Sequence, residues 1–154
     1  MIRGEPLNVT IEKIDASKTE QVVIRCHQVN DRVRSIEHYI KSTDGSVAGY
    51  KDERITRIYL QDIFYVEAVD NRVFAYTQNQ TFELKCKLYE FESAYGAQHF
   101  FRCAKSMVVN LMKISSVYPI LNGRFAAKLF NGEEVIISRQ YVPELKSFLM
   151  GGSI

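Results

Sequence analysis

The sequence predicts a mainly β protein with a small α+β segment at its N-terminus. Three observations carry this expectation. From Arg54 onward the apolar residues fall in short runs bounded by polar turn pairs, a spacing that suits strands better than helices. Two Asn-Gly dipeptides, Asn122-Gly123 and Asn131-Gly132, divide the C-terminal part into strand-length pieces. Helical spacing of apolar residues is confined to one stretch before residue 50 and two short ones after it.

Taken in order, Leu7 to Ile14 alternates Leu7, Val9 and Ile11 with Asn8, Thr10 and Glu12, the period of a strand, and Gln21 to Cys26 reads as a second. Val29, Val33, Ile36 and Ile40 then recur at helical spacing, so Asn30 to Ser42 is expected to be an amphipathic helix capped by Asn30 or Asp31. Thr43-Asp44-Gly45-Ser46 breaks it. Small and polar residues between Asp44 and Tyr50 mark a boundary, giving a strand-strand-helix module over 1–48 and a second domain over 49–154. Strands follow at Ile55 to Leu60, Ile63 to Val69, Arg72 to Thr77 and Thr81 to Lys85, with Asp70-Asn71 and Gln78-Asn79-Gln80 as turns. A helical patch at Leu88 to Tyr95 stops at Gly96. Phe100 to Cys103 and Met107 to Leu111 flank a polar corner at Lys105-Ser106. The Asn-Gly pairs separate Ser116–Leu121, Arg124–Phe130 and Glu133–Ser138 into a three-stranded meander, each pair suiting a type I′ turn with two positive φ angles. Arg139 to Leu149 closes the chain as a helix with Val142, Leu145 and Leu149 on one face.

The bulk numbers narrow the functional classes. In 154 residues, 46% are hydrophobic and 25% charged, the composition of an ordinary globular chain that needs no cofactor to fold. No run of about 18 apolar residues is present, so membrane insertion is not expected and a cytoplasmic location is. Cys26, Cys86 and Cys103 are odd in number and irregular in spacing, which fits neither a disulfide framework nor a zinc site. A net charge of +2 says little, but its distribution says more. Residues 1–49 balance seven basic against seven acidic side chains, whereas 102–154 carry seven basic against three acidic. A polyanion is the expected partner of that C-terminal third.

From Ile55 to Leu149 a series of motifs appears in a fixed order. They are Asp62-Ile63-Phe64-Tyr65-Val66-Glu67-Ala68 followed by Asp70-Asn71, then Leu88-Tyr89-Glu90-Phe91-Glu92, then Phe101-Arg102-Cys103-Ala104-Lys105-Ser106 leading into Val109-Asn110-Leu111. Lys113-Ile114, Asn122-Gly123-Arg124, Asn131-Gly132-Glu133 and Val135 to Val142 complete the series. On these motifs the sequence resembles the LytTR family, the DNA-binding module of many bacterial transcription regulators. The resemblance implies an elongated arrangement of small β-sheets that lays loops into successive DNA grooves, unlike modules that insert a helix. Many family members carry an N-terminal receiver domain; the roughly 50 residues before this domain resemble instead the segment of stand-alone LytTR regulators.

The resemblance also implies where DNA is touched. Asn71 or Arg72, at the Asp70-Asn71-Arg72 turn, would reach bases. Lys105 would meet a base edge or phosphate and Ser106 a phosphate oxygen, supported by Asn110. Arg139 matches the family's groove-reading arginine and can offer a bidentate fork to guanine, with Ser138 and Tyr141 giving hydroxyls to phosphates. Lys113 and Arg124 are further phosphate contacts. Each has a plainer reading: a hairpin turn at Asp70-Asn71, a solvated corner at Lys105-Ser106, a helix cap at Ser138.

Other features point to packing. Phe64, Tyr65, Phe74, Tyr76 and Phe82 alternate within strands as core aromatics do, against a base-stacking platform. Cys103 beside Arg102 and Lys105 suggests either a redox-sensitive thiolate or a small buried residue. His27, His38 and His99 stand far apart, and no nucleophile–base pair, phosphate loop or metal spacing supports an enzyme. The leading expectation is therefore a sequence-specific regulator of double-stranded DNA acting as a homodimer on promoter repeats. The competing one is a β-rich protein-interaction module that answers to a cytosolic or membrane-bound partner.

Overall fold

A computed structural model describes residues 6–42 and 45–150. The elements are α1 (Asp31–Ser42), β1 (Ser46–Lys51), β2 (Arg54–Tyr59), β3 (Tyr65–Val69), β4 (Arg72–Tyr76), β5 (Thr81–Leu84), α2 (Leu88–Tyr95), β6 (Phe100–Ala104), β7 (Met107–Asn110), β8 (Ile114–Pro119), β9 (Phe125–Leu129), β10 (Glu134–Ile137) and α3 (Val142–Leu149). One sheet has seven strands in the order β2-β1-β5-β4-β3-β7-β6, and a second has three in the order β10-β9-β8. Every strand pair is antiparallel. The fold is mainly β, as its composition of short alternating runs predicts.

Strand periodicity generates two cores from one set of strands. Successive residues point to opposite faces, so Val66, Phe100 and Val108 face one cluster while Tyr65, Phe101 and Val109 face the other. The first is closed by α2, through Leu88 and Phe91, whose ring meets Phe100 edge-on at 5.0 Å. The second is closed by the three-stranded sheet and by Val142 and Leu145 of α3. Each such side chain, fully buried, contributes about 1.5–3 kcal/mol. Leu149, expected on the same face of α3, is exposed. In the last turn Phe148, half exposed, still sets its ring edge-on to the core residue Phe101 at 6.0 Å.

Helix starts follow their local chemistry. Asn30 caps α1, its Oδ1 accepting the Val33 N–H at 3.0 Å. In α2 the Glu90 carboxylate accepts the Lys87 backbone N–H at 2.7 Å. α1 lies beside the 3-10 turn at Gly96–Gln98, where the Tyr39 and His99 rings sit 5.7 Å apart.

Several expectations need correction. Residues 6–14 and 19–26 form no strand ladder; they are two extended arms joined by a turn in which the Lys18 N–H reaches the Asp15 carbonyl at 2.9 Å. The alternation there is real, but neither arm has a third strand or a covered face to hold it. A further strand, β1, occupies the segment that small residues made look like a linker, and it runs across the expected division at residue 48. Gly49 lies where a Cβ would come within 2.1 Å of Ile58 Cδ1 and 2.8 Å of Phe82 Cβ, so close packing requires a glycine at that position of β1. Asp52 and Glu53 turn it into β2 with φ of 50° and 62°. Finally, Asn122 and Gly123 both take positive φ, but at Asn131-Gly132 only the glycine does. That turn closes with the Gly132 N–H on the Leu129 carbonyl at 2.9 Å and leaves Gly132 as the left-handed residue after it, the three-residue hairpin loop in place of type I′.

Candidate nucleic-acid interface

Four turns come together along one rim of the molecule. Asp70 and Asn71 form the tight β3–β4 turn with φ of 52° and 62°. The β6–β7 turn at Lys105-Ser106 adjoins it, because the Ala68 N–H bonds the Ser106 carbonyl at 2.8 Å. On the other side of β6 the Ser138 N–H bonds the Cys103 carbonyl at 2.8 Å, bringing the 3-10 turn Arg139–Tyr141 up to the same corner. The Asn122-Gly123 turn then packs under Arg139. Residues distant in sequence are thus strung along a single edge that crosses from one sheet to the other.

Arg139 is exposed, and its side chain runs directly over Gly123. A Cβ on Gly123 would stand 2.7 Å from Arg139 Cδ and 3.0 Å from Cγ. Gly123 also has φ of +74°, a conformation that favours glycine. One residue therefore meets two demands, a left-handed turn and a bare surface on which the arginine stem rests. Sequence reading took Gly123 only as a turn residue, and no local signal reveals the second role.

Lys105 and Ser106 are exposed. Among the described residues no acidic side chain pairs with Lys105 or Arg139. The turn that carries Lys105 is held by Arg102, a role that no local sequence signal reveals. Its Nε donates to the Ala104 carbonyl at 2.8 Å, its Nη2 to the Lys105 carbonyl, and its Nη1 to Glu92 Oε1 at 2.7 Å. The half-buried guanidinium ties the corner to α2.

The remaining expected contacts divide. Arg124 lies on the rim, half-buried, its Nε donating to the Leu121 carbonyl at 3.2 Å. Ser138 makes no cap with its side chain, so the capping explanation does not hold. Tyr141 is half-buried with its ring edge-on to Phe101 at 6.4 Å. Asn71 is exposed on the turn, but the Arg72 fork is already occupied by Glu83, at 2.7 and 3.2 Å, and lies over the Phe74 ring. That fork also holds the Glu83 carboxyl below its usual range. Asn110 is buried and serves the fold: its Nδ2 donates to the Ile63 carbonyl at 2.9 Å and its Oδ1 accepts the Met112 N–H at 3.0 Å. Lys113, past the far end of β7 from Ser106, stands over the Phe64 ring and is not brought to the rim.

The aromatic residues pack among themselves. Phe64 and Phe82 are buried, and the Tyr65 and Tyr76 rings stack at 4.3 Å. Cys103 is fully buried and burial pushes its thiol up to about 12, which favours the small buried residue over the redox-sensitive thiolate. Its neighbours Arg102 and Lys105 do not offset the loss of solvent. In the folded protein at pH 8, a thiol reagent should therefore modify exposed Cys26 and leave Cys103 untouched; mass mapping of the labelled peptides checks this.

No helix among the described residues is long and apolar enough to cross a membrane. Comparison with known proteins agrees with the geometry. Residues 53–150 match the family model of the LytTr DNA-binding domain. A HTH-type transcriptional regulator of Staphylococcus aureus strain bovine RF122 / ET3-1, uncharacterised, is 34% identical over 139 residues, covering 88% of this chain and 94% of its own. Its counterpart in strain N315 matches to the same extent. A LytTr DNA-binding domain from Bacillus cereus superposes with a TM-score of 0.65 at 26% identity, over 69% of this chain and 97% of that one. With strands carrying the rim, a family match over most of the chain and relatives along nearly its whole length, the chain belongs to the LytTr DNA-binding domain family.

Proposed function

We propose that this chain is a sequence-specific transcription regulator of double-stranded DNA, with Arg139 reading a base edge and Lys105, Ser106 and Arg124 positioning the rim on phosphates. The observation that supports this most directly is that Arg139, paired with no acidic side chain among the described residues, lays its stem over Gly123 on a continuous edge with Lys105. A guanidinium fork held on a turn can give two parallel donors to guanine O6 and N7, whereas an ammonium is a point charge suited to phosphate. Asn71 stands at the far end of the same edge, where it would reach a neighbouring groove. Arg72, Asn110 and Lys113 have no part in this reading, since the first two are engaged within the fold and the third lies elsewhere. The DNA-binding unit in this reading begins at Gly45, ahead of β1, and the protein works beside the chromosome in the cytoplasm as a homodimer.

Footprinting on the promoter DNA next to its own gene tests the reading as a whole. Lys105→Ala tests the division of labour: it should weaken cognate and scrambled duplexes alike and lower the slope of log K against log salt by about 0.9, the contribution of one phosphate contact. An unchanged slope would remove Lys105 from the phosphate-contacting set.

A further inference from the structure

The two N-terminal arms hold a pattern that nothing in the DNA-binding rim uses. They are joined by the Asp15–Lys18 turn, where the Ser17 N–H also bonds Asp15 Oδ1 at 2.8 Å. Apart from this turn, no backbone hydrogen bond among the described residues links one arm to the other or either arm to the sheets. Val9 is 86% and Ile11 93% exposed, and Val22 and Val23 are more than half exposed. Single exposed apolar residues are ordinary, but a cluster alternating along two unpaired extended segments is an open edge that a soluble protein has to cover.

The turn fixes which residues face each other. Pairing Asp15 with Lys18 sets Lys13 across from Glu20, Ile11 from Val22, Val9 from Ile24 and Leu7 from Cys26. One face of this hairpin is then apolar with an opposite-charge pair next to the turn, and the other is mixed, setting Ile14 and Val23 among Asn8, Thr10, Glu12, Thr19, Gln21 and Arg25. The register is complete, yet the arms stay open in the single chain. A lone two-stranded hairpin is marginal in water, and three or more strands are needed to hold it.

We propose that the missing strands come from a second copy of this chain, the 19–26 arms of two copies pairing antiparallel about a two-fold axis at Val23 to make a four-stranded sheet. Across that axis Val22 faces Ile24, Gln21 faces Arg25, Glu20 faces Cys26 and Val23 faces Val23, with no like charges opposed. The 6–14 arms take the outer positions. Charge favours a copy of the chain over a polyanion, because the arms carry both signs, with Glu12 and Glu20 near Lys13, Lys18 and Arg25. Leu7, Val9, Ile11 and Val22 share the apolar face, which the two-fold joins to the same face of the second copy, while Val23 stands on the other face at the axis. The inference stands apart from the assignment of the DNA-contacting residues.

Sedimentation of the full-length chain at tens of micromolar should give twice the chain mass. Val23→Pro removes a backbone donor at the axis and should give the single mass, with the thermal melt of the LytTr domain unchanged because the arms lie outside both sheets. In a Cys26→Ser background, Val23→Cys should oxidise to a covalent dimer and Val9→Cys should not. A monomeric parent chain overturns the proposal and frees the arms for a different protein. A dimeric Val23→Pro, or cross-linking at Val9 as ready as at Val23, overturns the pairing.

Discussion

Arg139→Ala is expected to lower affinity for the cognate duplex by about 5- to 150-fold, roughly 1–3 kcal/mol, with little change on scrambled DNA. The melting temperature should stay within a degree or two, since the side chain is exposed and no ion pair among the described residues depends on it. Gly123→Ala is the more informative companion. Its methyl would enter the space of the Arg139 stem, so it should also reduce discrimination while leaving the guanidinium in place. The left-handed φ adds a folding penalty of about 1 kcal/mol, which a melt separates from the binding effect. Paired titrations on cognate and scrambled duplexes decide the matter. Full discrimination by Arg139→Ala would mean that another side chain reads the base.

Arg102→Ala is expected to act on stability and binding together. Its fork joins Glu92 on α2 to the Ala104 and Lys105 carbonyls, and hydrogen bonds to a charged group contribute about 1.5–3 kcal/mol each before partial compensation by water. A destabilisation of about 2–3 kcal/mol should appear as a lower denaturant midpoint. Below that midpoint, affinity for cognate and scrambled DNA should fall in parallel, because the Lys105-Ser106 turn loses its anchor. Arg102→Lys restores charge without the planar fork and should recover part of the stability but little of the binding. A stable Arg102→Ala protein with unaltered DNA affinity would show that the corner holds its shape without this clamp.

Much of this molecule was legible from residue pattern. The β4 and β5 strands, the α2 helix stopping at Gly96 and the C-terminal meander follow from period-two runs and turn residues whose preferences are local. What escaped has a common cause in tertiary context. In β1, Gly49 is a glycine because its backbone packs against Ile58 and Phe82, a demand set by strands elsewhere in the chain. The 6–14 and 19–26 segments have strand alternation without the neighbours that would make them strands. At the site, side-chain type suggested donors but could not tell which were spent. Arg72 looks as suitable as Arg139 until Glu83 is found across the β4–β5 ladder, and Asn110 looks like a polar surface residue until its amide is seen to bridge Ile63 and Met112. Gly123 and Arg102 act through partners that only the fold supplies.

The turns that make the rim have a thermodynamic consequence. Asp70, Asn71, Asn122 and Gly123 sit at positive φ in tight connections between paired strands, and Arg102 fixes the corner between them. Such loops have few conformations left to lose. Association with a duplex then carries little of the ordering entropy that a flexible recognition loop would incur, and the heat-capacity change should reflect surface removed from water without a contribution from coupled folding. A protein of this kind meets its DNA as a preformed edge, so whatever adaptation the complex requires falls mainly on the DNA, and site preference comes to include how readily a sequence bends to that edge.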